Sequence, residues 1–324
     1  MSELLKAVDA RTKLAGTNKL EILLFFLGVD QRTGRRETYG INVFKVREVM
    51  RTPPITSAPD MPSAVEGMVS LRGVLVPVVD LAKYAGITAD TPRDIMIVTE
   101  YNGHTQGFLV ESVDTILRLD WSKMRVPPEM LTAQTGGLVT AVTELEDNRL
   151  VMMMDVEKVL AETSGYDDDL RYSAVTTVDR PDCTVFFCDD SVVARRQIEK
   201  TLDAMGVKYV GAVNGRQLWI ELEKMASYAQ AMGKKASELI SLVLTDIEMP
   251  EMDGYILTKR IKTDPRFNGV QVIMHSSLSG MSNQKLGESV GVDEYVPKFE
   301  PQRLSETLAR RLVGVTGNGA LAAA

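Results

Sequence analysis

The chain has little of several residue types that carry chemistry in other proteins. Its 324 residues include two cysteines and two histidines. Cys183 and Cys188 flank one predicted strand and point to opposite faces, so they cannot form a disulfide within it. So low a cysteine content is typical of a reducing compartment. His104 and His275 lie far apart and lack the spacing of a metal site.

Long apolar runs and a basic charge balance are also absent. No run approaches the ~20 residues that a membrane-spanning helix needs. The first residues form a mixed-charge segment without the character of a signal peptide. The net charge is −7, whereas general nucleic-acid binding requires clustered lysine and arginine. We therefore expect a cytoplasmic protein with no nucleic-acid partner and no direct membrane insertion.

The first and second halves of the chain have different sequence patterns. The length of the chain also predicts two domains. The first half has short β-type runs separated by turns, and Asn102-Gly103 is a hairpin signal between two of them. After residue 182, strands alternate with helices. The predicted fold is an all-β domain followed by a doubly wound α/β domain with a five-stranded parallel sheet. The β-type runs are 22–27, 39–46, 74–79, 94–99, 106–110 and 150–154.

Changes in composition suggest the boundaries. We expect an N-terminal helix over 1–19, which would pack on its own domain or bind a partner helix. The β-rich domain should span 20–165 and the α/β domain 182–315. The polar, acidic segment 166–181 is interpreted as a linker, and the low-complexity tail 316–324 as disordered.

Five polar residues follow apolar runs of the α/β half, at the predicted ends of four strands. Buried parallel strands present such residues at one edge of a sheet, so we expect them to converge. Carboxylates suit Mg²⁺, and an aspartate can act as a nucleophile that forms an acyl phosphate. A lysine and a hydroxyl would stabilise charge on the transferred phosphoryl group. The alternative is a set of solvated loop residues. The five are Asp189, Asp190, Asp246, Ser276 and Lys298.

These residues resemble those of response-regulator receiver domains. The stretch 245–254 has the sequence TDIEMPEMDG, and steps of 30 and 22 residues separate Asp246, Ser276 and Lys298. The resemblance implies that Asp246 is the phosphoacceptor and that the Glu248 backbone carbonyl joins the three aspartates around Mg²⁺. It also implies that Ser276 and Tyr295 form the switch.

Two features depart from the receiver pattern. Phe299 follows the lysine where a proline is usual, which leaves the conformation of that peptide open. The segment 222–240 is longer than a minimal receiver needs, and we expect it to be helical surface.

The first half resembles the CheW coupling domain of bacterial chemotaxis. Its motifs keep their order: YGINVFKVREV at 39–49, PIT at 54–56, GMVSLRG at 67–73, VPVVDL at 76–81 and MMMDVEKVL at 152–160. The resemblance implies two small SH3-like barrels that bind the CheA histidine kinase and the cytoplasmic tips of chemoreceptors. Arg72 and Gly73, at a predicted turn, would belong to the partner-binding face. A local salt bridge of Arg72 is the alternative.

A coupling domain followed by a receiver resembles the CheV family. The resemblance implies a non-enzymatic adaptor, recruited to membrane-associated receptor arrays and regulated by phosphorylation of Asp246. A phosphate sink for the kinase is an alternative, and the sign of any effect on the kinase stays open. A more remote alternative is a Mg²⁺-dependent aspartyl-phosphate hydrolase, a class that expects an aspartate where this chain has Glu248.

Overall fold

The computed structural model describes residues 19–57, 59–101, 104–163, 175–178, 182–277, 287–298 and 300–314. The chain divides into two compact units, Met1–Gly165 and Tyr166–Ala324. The predicted N-terminal helix, except for Lys19, and the predicted tail lie outside the described residues, as does most of the predicted linker. Among the described residues, no helix is long and apolar enough to cross a membrane.

The described part of the first unit is a β structure with two five-stranded sheets. The first sheet has the order β8-β1-β2-β10-β9 and the second β3-β6-β7-β5-β4, with strands numbered along the chain. Strands β1 to β10 are Lys19–Phe26, Thr38–Asn42, Val46–Arg51, Val65–Leu71, Val74–Asp80, Ile95–Tyr101, His104–Val110, Ser112–Asp120, Val139–Glu144 and Leu150–Met154. The short helices α1 to α3 are Leu81–Tyr84, Glu129–Gln134 and Val156–Thr163, and 3₁₀ turns cover Val43–Lys45 and Trp121–Lys123.

Strand β1 is buried on both faces, which explains its unbroken apolar run. Ile22 and Leu24 pack into a cluster formed by the first sheet together with Met124. Leu23 and Phe25 face a larger cluster, which also contains Phe108 of the second sheet. Burying each of these side chains contributes ~1.5–3 kcal/mol. The all-β prediction for this half is confirmed.

The predicted β-type run at 39–46 is wrong as a single strand. The structure ends β2 at Asn42, forms the 3₁₀ turn and begins β3 at Val46. The Asn42 side chain accepts a hydrogen bond from the Phe44 amide at 3.0 Å, which stabilises the turn. Because β2 and β3 belong to different sheets, this turn carries the chain from one sheet to the other.

The strands on either side of both predicted tight turns of this unit pair antiparallel. Strands β6 and β7 pair with Tyr101 opposite His104, and the predicted turn residues Asn102 and Gly103 themselves lie outside the described residues. Strands β4 and β5 pair with Leu71 opposite Val74. At the second turn Arg72 and Gly73 have φ values of 51° and 84°. Two successive positive φ values match the twist of a two-residue hairpin.

The second unit is a parallel sheet between helices, as predicted. The sheet order is β12-β11-β13-β14-β15, and every neighbouring pair is parallel. Strands β11 to β15 are Thr184–Cys188, Lys208–Ala212, Leu242–Thr245, Val272–Ser276 and Glu294–Pro297. Helices α4 to α7 are Val192–Met205, Gly215–Ala231, Gly254–Thr263 and Pro301–Gly314, with 3₁₀ turns at Ala236–Glu238 and Pro265–Phe267. Helix α5 covers much of the segment that is longer than in a minimal receiver.

Alternate residues of β11 enter two separate cores. Phe186 and Cys188 pack on the side of α5 and α6. Val185 and Phe187 pack on the side of α4 and α7, together with Cys183. The prediction that the two cysteines lie on opposite faces is confirmed, and both are free and buried.

Residues 175–178, which lie within the predicted linker, belong to the second unit and pack on its helices. The Val178 amide donates a hydrogen bond to the Met205 carbonyl at 3.0 Å. The Thr176 amide donates to the Ser305 hydroxyl at 3.2 Å. Val178 is 7% exposed and belongs to the core on the side of α4 and α7. This short segment is therefore anchored across the C-terminal end of α4 and the first turns of α7.

Candidate functional site

The parallel sheet brings the predicted polar residues to one edge. Asp189 and Asp190 follow β11, and Asp246 follows β13 directly beside it. Ser276 is the last residue of β14, and Lys298 follows β15. The Lys298 amide donates to the Ser276 carbonyl at 3.2 Å, which ties the last two strand ends together. The carboxyl ends of four adjacent strands therefore form one polar pocket.

Three carboxylates lie at the bottom of this pocket. One oxygen from each of Asp189, Asp190 and Asp246 lies within 4.8 Å of the others. Asp189 and Asp246 are buried and Asp190 is half-buried. Carboxylates so close together repel one another in a low-dielectric environment unless a cation lies between them. The donor set is hard oxygen throughout, which fits Mg²⁺.

Lys298 places a buried ammonium against two of the three carboxylates. Its Nζ lies 2.9 Å from Asp189 Oδ2 and 3.1 Å from Asp246 Oδ2, and its side chain is 2% exposed. A charge this deeply buried is retained only when it is paired. The ammonium is therefore held at the Asp246 carboxylate, where it can contact any group attached to that oxygen.

The loop after β13 closes tightly around Asp246. The Asp246 Oδ1 accepts a hydrogen bond from the Ile247 amide at 2.7 Å. The Gly254 amide donates to the Ile247 carbonyl at 2.9 Å. A Cβ at Gly254 would overlap the Asp246 carbonyl oxygen, so this position requires glycine. Glu248 is half-buried in the same loop, two residues beyond Asp246.

Sequence reasoning missed the role of Ser191, which supports the acidic pair. Its amide donates to Asp189 Oδ1 at 2.9 Å, and its hydroxyl accepts from the Ala194 amide at 3.3 Å. Ser191 is thus both the N-cap of α4 and a support for Asp189. A serine directly before an amphipathic segment is an N-cap signal in the sequence.

Cys188, beside the pocket, is excluded as a competing nucleophile. It is the last residue of β11 and its Sγ lies 3.3 Å from the Thr245 hydroxyl. Burial raises the pKa of the Cys188 thiol, so it stays protonated at neutral pH.

The two predicted switch residues lie on neighbouring strands. Ser276 is buried at the end of β14, and Tyr295 is half-buried on β15. The Tyr295 hydroxyl accepts hydrogen bonds from the Tyr255 hydroxyl and the Gly287 amide, while burial raises its pKa. A Cβ at Gly287 would overlap that hydroxyl. Tyr295 is therefore held against the helical residues 287–290; residues 278–286 and Phe299 lie outside the described residues.

The predicted partner residues of the first unit form an exposed hairpin tip, which we define as residues 72–75. The Arg72 side chain is 71% exposed, and its Nη2 lies 2.9 Å from Glu48 Oε2. The local salt bridge considered from the sequence is therefore present. Val74 and Leu75 are 51% and 68% exposed. An arginine beside two exposed apolar side chains is a composition that favours a protein interface.

Comparison with known proteins covers both units. Residues 24–164 match the CheW-like domain family, and residues 185–309 match the response regulator receiver domain family. The chain is 28% identical to chemotaxis protein CheV3 of Helicobacter pylori, over 91% of this chain and 95% of that protein. The chain joins a CheW-like domain to a response regulator receiver domain and is similar to CheV proteins over most of its length.

Shorter relatives match parts of the chain. Chemotaxis protein CheW of Klebsiella aerogenes is 32% identical, over 46% of this chain and 87% of that protein. Chemotaxis protein CheY1 of H. pylori is 33% identical, over 37% of this chain and 89% of that protein. In this chain, the acidic pocket lies in the receiver domain and the hairpin tip in the CheW-like domain.

Proposed function

We propose that this chain couples chemoreceptors to a CheA-type histidine kinase, and that phosphorylation of Asp246 regulates the coupling. The observation that carries the proposal is the contact of the buried Lys298 ammonium with both Asp189 and Asp246. A lysine fixed at a carboxylate within a cluster of three carboxylates is the arrangement that aspartyl-phosphate chemistry needs.

Asp246 is the phosphoacceptor in this proposal. One of its carboxylate oxygens attacks the phosphorus on the histidine of the phosphorylated kinase. A new O–P bond forms while the N–P bond breaks, and the histidine nitrogen takes up a proton. The bond of Ile247 to Oδ1 orients the Asp246 carboxylate. Lys298 Nζ lies beside Oδ2, where it stabilises negative charge on the phosphoryl oxygens, and the Ser276 hydroxyl donates to one of them.

Asp189, Asp190, Asp246 and the backbone carbonyl of Glu248 would hold Mg²⁺. When bound, the ion neutralises charge on the carboxylates and on the phosphoryl oxygens. Two residues of the chain orient Asp189: the Ser191 amide binds its Oδ1 and the Lys298 ammonium lies at its Oδ2.

The hairpin tip is the proposed partner-binding face for the kinase and the cytoplasmic tips of chemoreceptors. Arg72 and Gly73 form its turn, and Val74 and Leu75 supply exposed apolar surface. Through these partners the chain would be recruited from the cytoplasm to membrane-associated arrays. In this role the chain accepts phosphoryl groups and acts as a scaffold, not as an enzyme that turns over a substrate.

The test is kinase output in reconstituted receptor complexes, with the intact chain compared with Asp246→Asn. If phosphorylation regulates coupling, kinase output should respond to the intact chain in a way that changes once Asp246 is phosphorylated, and the mutant should stay fixed in one state. If the only difference is slower loss of phosphoryl groups from the kinase with the mutant, the chain acts as a phosphate sink. Sustained release of phosphate by the intact chain at an enzyme's turnover rate would favour the hydrolase alternative.

A further inference from the structure

Arg195 contacts the backbone of the acidic pair, and neither phosphoryl transfer nor the proposed metal ligands account for this contact. It lies on α4, and its Nη1 donates to the Asp189 carbonyl at 2.7 Å and to the Asp190 carbonyl at 2.9 Å. The side chain therefore folds back over the N-terminus of its own helix. One guanidinium nitrogen binds the backbone of both acidic residues.

These bonds are made to the backbone of the acidic pair and not to its carboxylates. The carboxylates of Asp189 and Asp190 converge with Asp246, while their carbonyl oxygens are bound by the guanidinium. Further contacts hold Asp189 itself: its amide donates to the Ala212 carbonyl at 3.3 Å, and its Oδ1 accepts from Ser191. For Asp190, the bond from Arg195 to its carbonyl fixes the peptide from which its carboxylate projects.

We propose that Arg195 is a positioning residue that holds Asp189 and Asp190 in their cation-binding arrangement. The inference rests on the proposed Mg²⁺ site. Groups that orient metal ligands without touching the ion are a general feature of metal sites, and their loss typically weakens metal binding 10–100-fold. Charge-assisted bonds to carbonyls are stronger than neutral ones, which suits an arginine to this task.

Whether removal of Arg195 raises or lowers the affinity for Mg²⁺ distinguishes a positioning role from a purely electrostatic one. Arg195 is a positive charge near a cation site, so its removal should strengthen Mg²⁺ binding if charge alone mattered. If Arg195 positions the carboxylates, its removal should weaken Mg²⁺ binding instead. A purely structural role would lower thermal stability and leave the affinity for Mg²⁺ unchanged.

The experiment titrates Mg²⁺ into the full-length chain by calorimetry and compares wild type with Arg195→Met, Arg195→Lys and Arg196→Met. Arg196 is the matched control, because it is the next residue of the same helix and its side chain is exposed. We expect Arg195→Met to weaken Mg²⁺ binding roughly tenfold. Arg195→Lys, which keeps a charged donor, should recover part of the loss, and Arg196→Met should bind as wild type does.

The outcomes separate this proposal from the one on which it rests. If wild type binds Mg²⁺ and Arg195→Met binds it equally or more tightly, Arg195 is not a positioning residue although the site is real. If wild type itself shows no Mg²⁺ binding, the proposed site and this inference both fail. Thermal melts identify any variant that does not fold. If Arg195→Met does not fold, Arg195→Lys decides: Mg²⁺ binding measurably weaker than wild type supports positioning by the guanidinium, and Mg²⁺ binding as tight as wild type overturns it.

Discussion

The two units hold their candidate functional residues in opposite ways. In the receiver unit, the Lys298 side chain is 2% exposed and has two carboxylate partners. In the coupling unit, the Arg72 side chain is 71% exposed and pairs with Glu48. Because the receiver residues are buried, their charged groups must find ion-pair and hydrogen-bond partners within the chain. Their geometry therefore indicates their function without a partner protein. An exposed arginine is satisfied equally well by solvent, and its importance depends on what binds it.

The difference implies that substitutions should act differently in the two units. A change in the receiver pocket removes chemistry or buried packing within the chain. A change at the hairpin tip should leave the chain intact and alter only its association. Each of the following predictions tests one side of this contrast.

The largest effect is expected at Asp246. Incubated with phosphorylated CheA-type kinase and Mg²⁺, the full-length chain should gain one acid-stable, base-labile phosphoryl group. Asp246→Asn should gain none, because an amide cannot form the acyl phosphate. Asp203→Asn serves as a control, since Asp203 is an exposed carboxylate of the same unit. Equal labelling of wild type and Asp246→Asn would exclude Asp246 as the acceptor.

The buried side chain of Val178, in the segment 175–178, should stabilise the receiver unit but not the coupling unit. Val178→Asp would place a charge in the core on the side of α4 and α7, at an expected cost of about 3 kcal/mol in the free energy of unfolding. Thr177→Asp is the control, because Thr177 is exposed in the same segment.

The two tryptophans make this measurable, since Trp121 lies in the coupling unit and Trp219 in the receiver unit. Denaturant unfolding is followed by Trp219 fluorescence in a Trp121→Phe background. A Val178→Asp midpoint equal to that of Thr177→Asp would show that the segment does not stabilise the receiver.

The sequence predicts the site residues of the receiver unit better than the strand boundaries of the coupling unit, for a physical reason. Asp189, Asp246 and Lys298 were recognisable because each follows an all-apolar run, and parallel strand ends meet at one edge. The break at Asn42 was missed, because apolar residues continue on both sides of it and only the change of sheet makes the turn necessary. Arg195 was missed because a bond from a side chain to two backbone carbonyls leaves no periodic pattern.

Arg72 offers the test in the coupling unit. Arg72→Ala should weaken binding to receptor–kinase complexes by ≥ ~2 kcal/mol, roughly thirtyfold, if Arg72 is an interface hot spot. Phosphorylation of Asp246 should be unaffected, because the two sites lie in different domains. Binding is measured by titration against reconstituted complexes.

Glu48→Ala separates the interface from the local ion pair. An exposed pair of this kind contributes ~0–1 kcal/mol to stability. Loss of Glu48 should therefore change binding little if Arg72 contacts the partner directly. Equal losses of binding affinity from Glu48→Ala and Arg72→Ala would mean that the ion pair acts by holding the hairpin tip in shape. Wild-type binding by Arg72→Ala would mean that Arg72 forms only the local salt bridge and does not contact the partner.

The smallest effect is expected at Tyr255, which donates a hydrogen bond to the Tyr295 hydroxyl. If phosphorylation draws Ser276 toward the phosphoryl group and lets Tyr295 turn inward, Tyr295 must leave Tyr255 and Gly287. Tyr255→Phe removes one hydrogen bond that holds Tyr295 in its observed position, a bond worth ~0.5–1.5 kcal/mol. It should therefore shift the population toward the turned state and strengthen binding of beryllofluoride, a mimic of the phosphoryl group, about two- to tenfold.

Tyr228→Phe is the control, since Tyr228 is 57% exposed on α5. Calorimetric titration in the presence of Mg²⁺ measures the affinity. If Tyr255→Phe and Tyr228→Phe both bind beryllofluoride as wild type does, Tyr295 does not move with phosphorylation, and the receiver would then serve the kinase as a phosphate sink without signalling to the coupling unit.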